Sequence, residues 1–180
     1  MHQFVRGIEW IFTSSNWNTV NFQPGIRAQI AYHIEISALS MFVAAAIAIP
    51  IGLLVGHKRR GQFLAASVAN AGRAIPSFGL VVLAFILFGN LVPSLQFSLA
   101  PSTVALVLLA IPPILTNTYV GIQGVDADAV EAARGMGMAE LQVLTRLELP
   151  LAAPLVMAGL RTAAVTVVAT ATLADRKSVG

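Results

Sequence analysis

Four long apolar stretches, separated by shorter polar segments, constrain the fold of this chain more than any other feature. They comprise residues 36–55, 62–92, 102–120 and 151–174. A helix of about 20 apolar residues crosses the hydrocarbon core of a bilayer. Only 11% of the 180 residues are charged, whereas an ordinary soluble domain carries about 25%. The sequence therefore predicts an all-α, polytopic membrane protein with about four transmembrane spans.

A charged segment, residues 126–150, separates the last two apolar stretches. Its charged residues are Asp126, Asp128, Glu131, Arg134, Glu140, Arg146 and Glu148. Hydrocarbon would reject so many charges, so the segment belongs in water or against another protein. It is predicted to form two short helices, the first capped by Asp128 with Glu131 three residues later. Gly135 and Gly137 permit a sharp turn between them, and Pro150 suits the start of the next helix.

The spacing of residues within this segment is specific. It consists of Glu131-Ala132-Ala133, then Gly137, then Leu147 and Leu149-Pro150. The pattern resembles the EAA loop of ABC importer permeases. The flanking sequences, residues 117–122 and 158–163, resemble those of the branch that transports glycine betaine, carnitine, choline or proline. The resemblance covers roughly residues 37–174.

This resemblance implies a type I importer permease fold and a set of partners. The loop at 123–150, called the charged loop below, would bind a separate ATP-binding subunit, which would itself hold ATP and magnesium. The residues implied in that contact are Glu131, Ala132, Ala133, Gly137, Leu147 and Pro150. A second permease copy or paralogue would complete the pathway, and an extracytoplasmic binding protein would deliver the solute. The expected location is the plasma membrane of a bacterium or archaeon.

The distribution of basic residues predicts the orientation of the spans. If the charged loop is cytoplasmic, the segment at Lys58 is cytoplasmic too, and residues 1–33 are outside. The basic residues then on the inside are Lys58, Arg59, Arg60, Arg73, Arg134 and Arg146, against Arg6 and Arg27 outside. This asymmetry agrees with the positive-inside rule. With this orientation, residues 1–33 form an extracytoplasmic segment and residues 34–174 form the transmembrane domain.

Polar residues inside the predicted spans provide candidate functional positions. Asn117 and Thr118 could form hydrogen bonds between helices. Arg161 would face the bundle or extend to the interface. Asn117 and Arg161 are therefore candidates for lining the pathway. Pro76 interrupts the second apolar stretch, which is interpreted as one broken span.

The sequence also contains a Gly-x-x-x-Gly pair, Gly52 and Gly56, which is interpreted as a chance occurrence in a glycine-rich chain. The basic run at 57–60 is interpreted as a cytoplasmic anchor. Residues 1–32 are either a loosely ordered tail or an interfacial helix that ends at Pro24, with Trp10 at headgroup level. The polar tail at 175–180 is atypical of the family, and the authentic chain is expected to be longer.

Several other function classes are disfavoured. The chain has no P-loop, so ATP hydrolysis is expected on another chain. It has no cysteine, and His33 and Glu35 have no nearby third ligand, so no metal site is predicted. Its basic residues do not cluster with aromatics as in nucleic-acid-binding proteins. The remaining alternatives are a non-transporting membrane scaffold and a permease for another small solute, such as an amino acid.

Overall fold

The computed structural model describes residues 2–18, 25–59, 61, 63, 66–67, 70, 76–96 and 98–174. The described residues contain helices and no strand. We number the α-helices α1 (His2–Phe12), α2 (Ile26–Lys58), α3 (Ser77–Leu91), α4 (Ala100–Gln123), α5 (Ala127–Gly135), α6 (Glu140–Gln142) and α7 (Leu149–Ala174). A π-helical segment, Val143–Glu148, joins α6 to α7. Short 3-10 helices occur at Ser14–Trp17 and Pro93–Leu95.

Three helices are long and apolar enough to cross a membrane. They are α2, α4 and the continuous helix that contains α7. These match three of the predicted spans. The first begins ten residues before its predicted start at residue 36, and its 33 residues make it about 50 Å long. Pro50 lies inside this helix, and the helix continues past it.

The second predicted span, residues 62–92, corresponds only in part to a described helix. α3 has 15 residues and a length of about 22 Å, which is less than the hydrocarbon thickness. It packs on α4 through a small cluster of Val81, Ala84, Phe85 and Ala105. Pro76 immediately precedes α3, in agreement with the predicted break. Most of the stretch before Pro76 lies outside the described residues.

α4 is the central helix of the bundle. In its most apolar window 56% of the residues are buried, compared with 22% in α2 and 28% in the helix containing α7. The core between these three helices includes Ala48 of α2, Ala110 and Ile114 of α4, and Ala163 and Val167 of α7. Alanine is its commonest residue, as expected where helices must approach closely without a hydrophobic driving force between them.

The contact between α2 and α4 depends on the glycine pair. A Cβ atom on Gly52 would lie 2.7 Å from Cβ of Thr118, and one on Gly56 would lie 2.6 Å from Cβ of Ile122. Both distances are far below van der Waals contact, so only glycine fits. The interpretation of this pair as a chance occurrence was therefore wrong, because it is the seam along which the two helices pack.

The chain outside the bundle is described only in part. Residues 2–12 form a helix, which favours the interfacial-helix interpretation over a loosely ordered tail. Its side chains Phe4, Ile8 and Phe12 are exposed, and whether lipid covers them stays a prediction. Pro24 and residues 175–180, on which two further predictions rest, lie outside the described residues.

Candidate functional site

The first helix of the charged loop, α5, begins at a side-chain cap. Oδ1 of Asp126 accepts hydrogen bonds from the backbone N–H groups of Asp128 (2.7 Å) and Ala129 (3.1 Å). The prediction that Asp128 caps this helix was therefore wrong by two residues. Asp128 lies instead in the first turn, where a negative charge interacts favourably with the helix dipole.

The end of α5 is a turn that requires glycine. Gly137 has φ = 84°, which is left-handed backbone that other residues rarely adopt. The N–H of Gly137 donates to the carbonyl of Arg134 (2.9 Å), and the N–H of Met138 donates to that of Ala133 (3.2 Å). These two bonds form a Schellman motif, in which Met138 also packs near Ala133. The predicted turn at Gly137 is thus confirmed, and Gly135 is the last residue of α5.

One face of α5 packs into a small core of its own. Val130 and Ala133 are buried with Val125 and Val143, and Met138 and Leu147 pack against them. The opposite face, with Glu131 and Ala132, is exposed. Of the two alanines in the motif, Ala133 therefore stabilises the loop internally, and only Ala132 is free to contact another chain.

An ion pair crosses the turn between α5 and α6. Nε and Nη2 of Arg134 donate to Oε1 (2.9 Å) and Oε2 (3.0 Å) of Glu140, which is a bidentate arrangement. This hydrogen bonding lowers the pKa of Glu140 below its ordinary value and raises the pKa of Arg134. Both side chains are largely exposed, so the pair contributes more to the geometry of the turn than to stability.

His57 connects α2 to the charged loop, at the end of the helix nearest that loop, which is called its inner end below. Its Nε2 lies 3.0 Å from Oε2 of Glu140, and its Nδ1 lies 2.6 Å from Oε2 of Glu148. The side chains of His57 and Glu148 are only 12% and 4% exposed. The sequence interpretation treated His57 as part of a basic anchor and missed this contact. The 91-residue separation from Glu148 left no local spacing to reveal it.

A cavity of about 530 Å³ lies between the inner end of α2 and α5. Its lining residues are His57, Lys58, Arg59, Ala127, Val130, Glu131, Arg134 and Glu148. Basic groups outnumber the two carboxylates along its wall. The cavity therefore places the exposed edge of α5 beside a predominantly positive surface.

The second half of the charged loop is continuous with the last long helix. The helix restarts at Glu140 rather than at the predicted Met138, and it passes through the π-helical segment into α7. Pro150 is the second residue of α7 and is exposed, so it does not open a new helix after a break. Because Pro150 cannot donate a backbone hydrogen bond, the irregular π-helical segment precedes it. Leu147 is half-buried against the core below α5.

The two candidate pathway residues lie in different environments. Nδ2 of Asn117 donates to the carbonyl of Pro113 in its own helix (2.8 Å). Thr118 does the same toward Ile114 (2.7 Å). The prediction that these two side chains bond between helices was therefore wrong. Asn117 instead packs against α7, where a Cβ atom on Gly159 would lie 2.7 Å from its Cβ. Arg161 is exposed on α7, and a pathway role for either residue stays a prediction.

Residues 48–175 match the family described as "Binding-protein-dependent transport system inner membrane component". The chain is similar to the choline transport system permease protein OpuBB of Bacillus subtilis, with 36% identity over 79% of this chain and 63% of that protein.

Two further relatives agree with this match. The carnitine transport permease protein OpuCB of Listeria monocytogenes is 36% identical over 83% of this chain and 66% of its own length. The osmoprotectant import permease protein OsmY of Salmonella typhimurium is 35% identical over 79% of this chain and 58% of its own length. The chain thus spans less than two thirds of the length of these curated relatives.

Proposed function

Since this chain belongs to the family of binding-protein-dependent transport system inner membrane components, we propose that it is a permease subunit of an ATP-driven importer. Its helices form a multi-pass membrane bundle. The importer would lie in the plasma membrane, in keeping with the expected orientation of the spans.

The observation that carries this proposal is the two-faced structure of α5. Its inner face is fixed by the core around Val130 and Ala133, by the Asp126 cap and by the turn at Gly137. Its outer face presents Glu131 beside the small side chain of Ala132. A rigid, exposed, small-residue helix between two long spans is suited to docking in a cleft of another protein and to transmitting its movement.

The proposed partners follow from what this chain would need. An ATP-binding subunit with bound magnesium would receive the outer face of α5, and its closure would move the charged loop. A second permease copy or paralogue would complete the transmembrane pathway. An extracytoplasmic binding protein would deliver the solute on the opposite side of the membrane.

The proposed solutes are osmoprotectants such as choline, carnitine, glycine betaine or proline. The first three occur in the names of similar permeases. Quaternary ammonium groups are recognised by aromatic cages through cation–π interactions. We assign that cage to the binding protein, so the permease would supply the path rather than the selective site.

Solute-stimulated ATP hydrolysis in the reconstituted complex tests this proposal. Glu131→Lys should weaken association with the ATPase and reduce the stimulation, because it reverses the charge on the outer face of α5. Glu9→Lys makes the same change on α1 and should leave both unchanged. Normal ATPase association and stimulation in the Glu131→Lys complex would contradict the proposal and favour a non-transporting scaffold.

A further inference from the structure

His57 joins α2 to two separate elements of the charged loop. α2 is remote in sequence from that loop, yet its inner end is held to two different elements there. Nδ1 of His57 meets Glu148 in the π-helical segment, and Nε2 meets Glu140 in α6. Arg134 then extends the chain of contacts from Glu140 to α5.

The two contacts of His57 suit the doubly protonated form of the imidazole ring. An ionised carboxylate can only accept hydrogen bonds, and both ring nitrogens lie within hydrogen-bonding distance of carboxylate oxygens. Both nitrogens donate only in the imidazolium form, whereas neutral histidine has one donor. Glu148 is only 4% exposed, and a buried carboxylate without a cationic partner is strongly destabilised.

We propose that protonated His57 is a positioning residue that fastens the inner end of α2 to the charged loop, and that this fastening is released when His57 becomes neutral. The inference rests on the proposed function in one respect: the movement passed to α2 would be the one that the ATPase imposes on α5. α2 would then follow the loop although no covalent connection joins them directly.

Other charged groups surround His57 and belong to the same electrostatic environment. Lys58 and Arg59 follow it on α2, while Glu131 and Arg134 line the same cavity from α5. The glycine seam, which extends to Gly56 directly before His57, holds α2 against α4. With neutral His57, α6 should therefore separate from the end of α2 while α2 itself stays packed in the bundle.

The test uses the natural absence of cysteine. Leu54→Cys on α2 and Leu141→Cys on α6 replace exposed side chains and carry spin labels for pulsed EPR distance measurement in bilayer nanodiscs. Distances are measured as the pH is raised from mildly acidic, where ordinary carboxylates remain ionised, to alkaline. We expect a single narrow distance distribution at the acidic end of the series and loss of that narrow population at the alkaline end.

Variants separate the proposed role from general packing. His57→Gln should abolish the narrow population at both ends of the pH series, because glutamine provides amide donors but no charge. Glu148→Gln should remove most of the pH response. His33→Gln, on the same helix and away from the loop, should retain the full wild-type response. A second label pair, Ile47→Cys with Val104→Cys, should be unchanged in every variant if the bundle remains folded.

The outcomes are distinct. A wild-type distribution that does not change with pH, or a pH response that survives in His57→Gln, would overturn the inference. If the Ile47–Val104 distance is also lost in His57→Gln, the variant has not kept the folded bundle. The pH response of the wild-type chain then decides whether the inference holds. None of these measurements needs the ATPase. Normal ATPase association with Glu131→Lys would therefore refute the proposed function while leaving the fastening of α2 intact. A wild-type distance distribution that does not change with pH, together with weakened ATPase association in Glu131→Lys, would refute only the fastening.

Discussion

Replacing Gly137 with valine should uncouple the charged loop while leaving the bundle folded. Gly137 has φ = 84°, and no heavy atom lies within 4 Å of a Cβ atom built on it. The substitution therefore causes backbone strain and no steric clash. Holding a non-glycine residue in such a conformation costs about 1–3 kcal/mol. That cost lowers the population of the native turn by roughly fivefold to more than a hundredfold.

The strain falls on the Schellman motif and not on the spans. If the turn relaxes, the bonds from Gly137 to Arg134 and from Met138 to Ala133 are lost, and α5 no longer has a fixed orientation. The assay is solute-stimulated ATP hydrolysis in the reconstituted importer, with membrane insertion and thermal unfolding of the bundle measured in parallel. We expect stimulation to be largely lost, with insertion unchanged.

Two matched substitutions control for this result. Gly135→Val adds the same side chain two residues earlier, also into open space, at a position without positive φ. It should cost only the lower helix propensity of valine and retain most of the stimulation. Gly137→Asn should be milder than Gly137→Val, because asparagine tolerates left-handed backbone. Equal loss in Gly135→Val and Gly137→Val, or normal stimulation in Gly137→Val, would refute the reasoning.

Three further predictions concern the bundle and its placement. Of Ser14→Cys and Gln142→Cys, only the first should react with an impermeant thiol reagent in intact cells, and the opposite pattern would invert the topology. Gly56→Val should lower the free energy of unfolding of the bundle by about 1–3 kcal/mol because it overpacks the seam, and an unchanged unfolding midpoint would show that the seam can expand. A spin label on Ile8→Cys of α1 should be accessible to oxygen and protected from a water-soluble nickel reagent, with the reverse at Arg6→Cys. Protection of both labels from both reagents would mean that protein covers α1.

Three of the four spans and the turn of the charged loop could be predicted because their signals are local. Twenty apolar residues in succession have few alternatives to a transmembrane helix. Gly137 lies just beyond a helix-forming run, where a left-handed residue is needed to end the helix. The cap was misplaced by two residues, because Asp126 and Asp128 both suit that position and only the backbone geometry distinguishes them.

The features that were missed depend on contacts between distant parts of the chain. The role of the Gly52 and Gly56 pair depends on Thr118 and Ile122 of α4, which lie against it. The partner of His57 is separated from it by 91 residues. Sequence spacing describes one helix at a time, whereas these contacts depend on how α2, α4 and the charged loop are arranged in space.

Site-specific cross-linking from the outer face of α5 tests the central claim most directly. Ala132→Cys, modified with a photoactivatable thiol reagent in membranes that contain the complete importer, should form an adduct with an ATPase subunit that carries a P-loop. Adding Glu131→Lys should reduce the yield of this adduct, and the same reagent at Thr13→Cys should yield none. An adduct between Ala132→Cys and a protein without a P-loop, with no ATPase adduct, would contradict the assignment of this chain as the permease subunit of an ATP-driven importer.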